Sequence, residues 1–304
     1  MDARAAGIEI VVATGRSWLE SGEALDRIGR DGVMIGAGGS LLHDALTGET
    51  LDRAVIDEEV IGIVVGTLRR HDHVVHLLQD ASAAGFDYWM IGWNRLHEAT
   101  RWWFERHGVT ARWAGDLEQV ADLEHTVRVG TTADGDHLAR VAAEIAGELG
   151  DRVVLQAWPA VVAADSPPRT IHLLEAFDRG VDKWTMLRRY AEGRGLKVSE
   201  IAAIGDGLND IGMVGGAGIG VDLAAEGIGP DMKGVPLEVG KGVVRRPGTD
   251  VALLGIGACA SYGVSGGGEC PQGRNGHSLV TASALGGGGG SSGGDVGVMF
   301  GGHD

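Results

Sequence analysis

Ile201-Ala202-Ala203-Ile204-Gly205-Asp206-Gly207-Leu208-Asn209-Asp210 is the stretch whose reading decides the fold. Four apolar residues run into a glycine-permissive turn that holds two carboxylates and an amide. A short apolar run bounded by turn residues reads as a strand buried on both faces, as in parallel sheets. In open α/β sheets, ligands sit outside the carboxyl ends of the strands. Closely spaced acidic oxygens at such an end suit Mg2+, a hard cation that prefers oxygen ligands. The stretch therefore predicts a parallel α/β core with a metal and phosphate site at its edge.

Working outward, strand and helix patterns alternate on both sides. Residues 8–13 (IEIVVA) read as a strand, and Ser17 with Glu20 three residues on forms a capping box that opens a helix to about Gly29. A strand follows near 32–36. Asp57 begins a helix with Val60, Ile61, Val64 and Leu68 at helical spacing. Residues 73–113 fit neither period. A strand near 126–130 precedes Asp136, read as an N-cap, and a helix face of Leu138, Val141, Ala142, Ile145 and Leu149 closed by Gly150. Strand-like runs at 152–157 and 170–174 lead to a helix opened by Asp182, with Val181, Trp184, Leu187 and Tyr190 on one side. A last strand lies near Gly218–Val221. The middle is richer in paired strands, so the expected organisation is a parallel core at 1–52 and 179–252, interrupted by an α+β insertion at 53–178. Glycine makes up about a third of 255–304, with five in a row at 286–290. Such composition predicts a flexible segment over 253–304.

Composition bounds the function. The 304 residues carry a formal net charge of −16. That field disfavours nucleic acid and anionic membranes as partners. The two cysteines, Cys259 and Cys270, make neither a disulfide framework nor a zinc pattern, which fits a cytoplasmic protein. No signal peptide or transmembrane pattern is visible; the longest uncharged run, 251–268, is diluted by glycine and serine.

Three segments carry chemistry. Ala13-Thr14-Gly15-Arg16-Ser17 offers a hydroxyl, a close-approach glycine and helix N-terminal amides, a phosphate cradle or an ordinary βα turn. Lys183 stands in the first turn of a helix, where a cation opposes the dipole; it aims at a phosphate or sits in solvent. The acidic turn begins 23 residues later.

In this order, ATGRS, then GVDKW, then AAIGDGLNDIGM and AGIGV, the chain resembles the haloacid dehalogenase superfamily over about residues 3–226. The likeness is to its Cof-type branch (subfamily IIB), whose large cap is inserted after the second motif. The resemblance implies a Rossmann-like core with an inserted α+β cap, and hydrolysis of a small phosphorylated metabolite such as a sugar phosphate. It further implies that Thr14 and Gly15 bind the phosphoryl group, that Arg16 helps position substrate and that Lys183 neutralises phosphate. Asp206 would hold Mg2+, and Asn209 and Asp210 would complete its shell or brace the site. Family members attack phosphorus with a carboxylate and protonate the leaving oxygen with a second Asp.

The family's first motif, Asp-x-Asp-Gly-Thr, does not occur in the sequence. Asp134-Gly135-Asp136 reads as a turn and cap instead. The expectation is a truncated chain whose core lacks its central strand, leaving two strand edges exposed and catalysis impaired. The alternative is a non-catalytic module that binds a phosphate ligand. Gly38-Gly39-Ser40-Leu41 replaces an Asn-Gly-Ala-like turn of the family. Three weaker signals are read blandly. His71, His73 and His76 are taken as a polar edge. Gly216–Gly220 is not a dinucleotide fingerprint, which disfavours a nicotinamide oxidoreductase. Trp89, Trp93, Trp102, Trp103 and Trp113 are taken as packing in the insertion, with stacking on a ring substrate as the sharper reading.

Overall fold

The computed structural model describes residues 7–160 and 171–222, with two isolated strands at 253–254 and 300–302. In chain order the first elements are β1 (Glu9–Thr14), α1 (Gly22–Ile28), β2 (Val33–Gly36) and β3 (Leu41–Asp44). Next come β4 (Thr50–Arg53), α2 (Glu58–Arg70), β5 (Val75–Gln79), α3 (Ala81–Ala84), β6 (Tyr88–Ile91), α4 (Glu98–His107) and β7 (Ala111–Ala114). Then follow β8 (Thr126–Asp134), α5 (Gly135–Leu149), β9 (Val153–Pro159) and β10 (Ile171–Asp178). The last are α6 (Lys183–Gly193), β11 (Ala202–Gly205), α7 (Ile211–Gly216), β12 (Ile219–Asp222), β13 (Leu253–Leu254) and β14 (Phe300–Gly302). The described residues form two compact units, one of 48–181 and one of the segments up to Thr47 and from Asp182. These breaks fall a few residues outside the 53–178 insertion expected from sequence, and most of 253–304 lies outside the described residues.

The first unit is a mainly parallel sheet in the order β12-β11-β14-β1-β2-β3, with β3 alone antiparallel to its neighbour. Alternate residues of β1 serve opposite faces. Val11 and Ala13 pack with Met186, Leu187 and Ala191 of α6 and Met213 of α7. Val12 packs with Leu25 of α1 and with Trp18. Helices on both faces explain why β1 and β11 read as unbroken apolar runs. The exposed inner edges expected from sequence are not found. β13 pairs with the start of β1, and β14 pairs with the end of β1 and with Ile204. A strand edge flanked by apolar surface is a strong template, and here short segments of the chain occupy it.

Local signals account for most boundaries. The Ser17–Glu20 capping box forms, with Ser17 N donating to Glu20 Oε2 at 2.8 Å and Glu20 N to Ser17 Oγ at 3.3 Å. It opens a single 3-10 turn, Leu19–Ser21, before α1 begins. Gly29, at φ +100°, ends α1.

The second unit is a six-stranded sheet, β7-β6-β5-β8-β10-β9, antiparallel except for the β6–β7 pair. α2 and α5 bury Val60, Ile61, Val64, Leu68, Leu138, Val141 and Ile145 against one face. Asp57 caps α2 as expected, accepting from Glu59 N. The cap of α5 is Asp134, not Asp136: its carboxylate accepts from the backbone amides of Asp136 and His137. β8 runs four residues further than its sequence pattern, so the helix starts at Gly135 and the cap moves back. Residues 73–113 resolve into β5, α3, β6, α4 and β7. Of the tryptophans there, Trp89 packs on the core, while Trp93 and Trp113 are exposed.

Gly39 sits at φ +112°, and a Cβ there would stand 2.2 Å from the Asp182 carbonyl oxygen. Gly39→Ala is expected to cost about 2 kcal/mol or more, read as a lowered Tm. Gly15→Ala, whose Cβ meets nothing within 4 Å, is expected to stay within about 0.5 kcal/mol of wild type. Equal effects would contradict this packing.

Candidate functional site

Parallel strands deliver their last residues to one edge of the sheet. Thr14 ends β1 and Gly205 ends β11. Both strands register on β14, through Thr14↔Gly302 and Ile204↔Phe300. Thr14 is therefore level with Asp206, two strand spacings or about 10 Å away.

Close backbone contacts run along this edge from one segment to the next. Thr14 is buried, and its Oγ1 accepts from Arg16 N at 3.2 Å. Arg16 O accepts from Ala37 N at 2.8 Å, and Gly36 lies tight beneath it. The Gly36–Gly39 turn then presses on the backbone of Asp182 and Lys183. This explains the glycines of the Gly38-Gly39-Ser40 segment: Gly38 also has positive φ, at 68°. Asp182 caps α6 by accepting from Thr185 N at 2.6 Å.

Lys183 is completely buried, and its Nζ donates to Asp210 Oδ1 at 2.8 Å. Asp210 is 1% exposed. Its Oδ2 accepts from the amides of Asp206 and Gly207, both at 3.1 Å. Gly205 must be glycine, because a Cβ there would lie 2.2 Å from the Asp210 Cβ. Both oxygens of Asp210 thus accept hydrogen bonds inside the protein. Of the two roles the sequence offered this residue, these bonds match the brace, and the second lone pair of Oδ1 is compatible with a place in a metal shell.

Asp206 is different. Burial pushes its carboxyl from the ordinary value of 3.8 up to about 6, and the neighbouring Asp210 adds to the rise while Lys183 opposes it. A carboxylate resisted by burial and a like charge is one that an added cation would stabilise. Asn209 Oδ1 is also buried and makes no hydrogen bond. An ionisable carboxylate beside an unsatisfied amide oxygen fits a hard, oxygen-preferring divalent cation. Among the described residues no three His, Cys, Asp or Glu side chains form a metal cluster.

The structure thus brings Thr14, Gly15, Arg16, Lys183, Asp206, Asn209 and Asp210 to one sheet edge. Asp134-Gly135-Asp136 lies in the other unit, where Asp134 is committed to its helix cap. The three histidines singled out in sequence do not cluster together. His76 is buried on β5, whereas His71 and His73 meet His137 of α5. Sequence reasoning had no route to His137, which is distant in the chain. No helix among the described residues is long and apolar enough to cross a membrane.

A family model described as haloacid dehalogenase-like hydrolase matches residues 1–225. An HMP-PP phosphatase of Enterobacter sp. (strain 638) is 26% identical over 219 residues, covering 70% of this chain and 71% of the relative. A haloacid dehalogenase-like hydrolase from Bacteroides thetaiotaomicron has a similar fold, with TM-score 0.56 and 22% identity over 72% of this chain and 77% of that one. A HAD subclass IIB sugar phosphatase aligns with TM-score 0.51 and 17% identity, over 72% and 75%.

Asp206 sets a testable pH dependence. Its folded pKa lies above the unfolded value, so between about pH 4 and 6 the folded state holds more protons. The corresponding stability is present below pH 4 and is lost as pH rises through 6. Tm measured from pH 4 to 7 should fall more steeply for wild type than for Asp206→Asn. Identical slopes would contradict the buried placement.

Proposed function

The chain belongs to the haloacid dehalogenase-like hydrolase family, and from that premise we propose a Mg2+-dependent phosphomonoester site of the Cof type for a small phosphorylated metabolite. The observation that carries the reading is the buried Lys183–Asp210 pair, locked by two amides of the turn that presents Asp206. The named relatives, an HMP-PP phosphatase and a sugar phosphatase, support a small phosphorylated substrate. The acidic composition is compatible with a cytoplasmic setting.

The roles follow from chemistry. The Thr14 hydroxyl and the Gly15 amide donate to phosphoryl oxygens, and open space beside Gly15 lets the ligand approach. Lys183, a three-donor cation held in place by Asp210, offsets phosphate charge. Arg16 orients the rest of the substrate. Asp206 and Asn209 hold Mg2+. When bound, the ion neutralises charge between an attacking carboxylate and the phosphate. Residues 48–181 are the inserted unit that stands where the family carries its cap.

The attacking carboxylate and general acid are the missing parts. The sequence contains no Asp-x-Asp-Gly-Thr, and its one Asp-Gly-Asp is spent on the cap of α5. This observation favours the second reading, a phosphate-binding module without turnover, for residues 1–304 as they stand. With p-nitrophenyl phosphate and Mg2+, the chain is expected to show no turnover. The ester should still raise Tm in a Mg2+-dependent way that Asp206→Asn abolishes. Turnover lost on Asp206→Ala would place a nucleophile within the chain. No Mg2+-dependent shift would remove the site altogether.

A further inference from the structure

An inner strand of the second unit carries one imidazole toward the helices on each of its faces. His73 leads into β5 and meets His137 of α5, with ring centroids 5.0 Å apart. His76 lies within β5, buried, with its ring 6.3 Å from that of Phe104 of α4. Each ring is surrounded mainly by groups that oppose a positive charge. Around His73, the end of α2 supplies Arg70, His71 and Arg69, whose Nη1 donates to the His73 carbonyl at 2.9 Å. α5 supplies His137, which Arg140 approaches at 3.4 Å. Glu144 of α5 is engaged by Arg70 at 2.8 Å and His71 at 2.7 Å, and Glu148 lies 3.9 Å from Arg70. Asp72 favours a charged ring, but it is the weakest of the influences on His73. Among the described residues His73 Nε2 is buried without a hydrogen bond, so no acceptor waits there for a second proton. Around His76, β8 supplies Arg128, which pairs with Glu175 of β10 at 2.8 Å and donates to the Tyr88 hydroxyl of β6 at 2.9 Å. His97, the N-cap of α4, adds a further imidazole. Burial, with these neighbours, lowers the pKa of His73 from 6.5 to about 4 and that of His76 to about 3, so both rings are neutral at pH 7. The turn carrying His73 also contains Asp72 at φ +61°, a conformation uncommon outside glycine.

We propose that His73 and His76 make residues 48–181 an acid-released unit, in which the neutral rings hold β5 against α5 and α4 and their protonation opens that packing. An opened unit lets both rings charge near their ordinary 6.5, so it binds protons that the packed unit refuses. The stabilisation is complete above about pH 6.5 and is lost as pH falls toward 4. Asp206, in the other unit, shifts in the opposite sense. A Tm of the whole chain sums the two, whereas a local readout separates them.

The test is amide hydrogen exchange of the full chain, read by mass spectrometry as protection factors so that the intrinsic pH dependence of exchange cancels. Between pH 7 and 5, protection in β5 and α5 is expected to fall on the order of tenfold or more, while β1 and β11 do not follow. His73→Gln, a change at a half-buried position, should remove part of that fall, and His73→Gln/His76→Gln most of it. Three results would overturn the proposal: protection in β5 and α5 that stays level in wild type, an equal fall in β1 and β11, or an undiminished fall in the variants. His73→Gln alone decides the last point if the double variant does not fold.

Discussion

A lysine and an aspartate, both sealed from water, hold the working edge of this molecule together. Removing two charges from water is expensive, and their attraction offsets that cost only when the remaining hydrogen-bonding capacity is also met. Asp210 meets it with two backbone amides on the oxygen that Lys183 does not use. The pair therefore fixes the start of α6 against the turn after β11. Several backbone choices follow from that closeness. Gly205 makes room for the Asp210 side chain, and Gly39 lets the turn after β2 reach the backbone beneath Lys183. The lysine tolerates a helix first turn because the Asp210 carboxylate, 2.8 Å from its Nζ, offsets the unfavourable dipole.

The same arrangement reconciles an acidic chain with an anionic ligand. The net charge of −16 opposes phosphate at long range. At short range the edge presents a buried cation, amides, a hydroxyl and a carboxylate strained by burial. In the proposed function, recognition of phosphate would depend on groups within a few ångströms, where solvent screening is weak. The strain on Asp206 is what a bound divalent ion would relieve.

Much of this edge was legible in the sequence because its signals are local. The IAAIGDGLND stretch carries strand, turn and carboxylates in ten residues, and the Ser17–Glu20 and Asp182 caps follow from spacing alone. What was not legible depends on distant partners. Residues 73–113 form short strands whose identity comes from pairing with β8, which lies beyond them in the chain. The cap of α5 shifted from Asp136 to Asp134 because β8 extends along β10 to Asp134. Likewise His137 joins His71 and His73 only through the packing of α5 beside α2. The pairing of β1 and β11 with β13 and β14 has no local signature, since those segments are glycine-diluted in sequence.

The account depends most on Lys183 and Asp210 acting as one unit. A double-mutant cycle on urea unfolding, with Lys183→Met, Asp210→Asn and both together, measures this directly. Each single change is predicted to cost about 3–5 kcal/mol by stranding a buried partner. The double change should cost less than their sum by about 2 kcal/mol or more. Strictly additive costs would mean that the two charges do not hold the edge together.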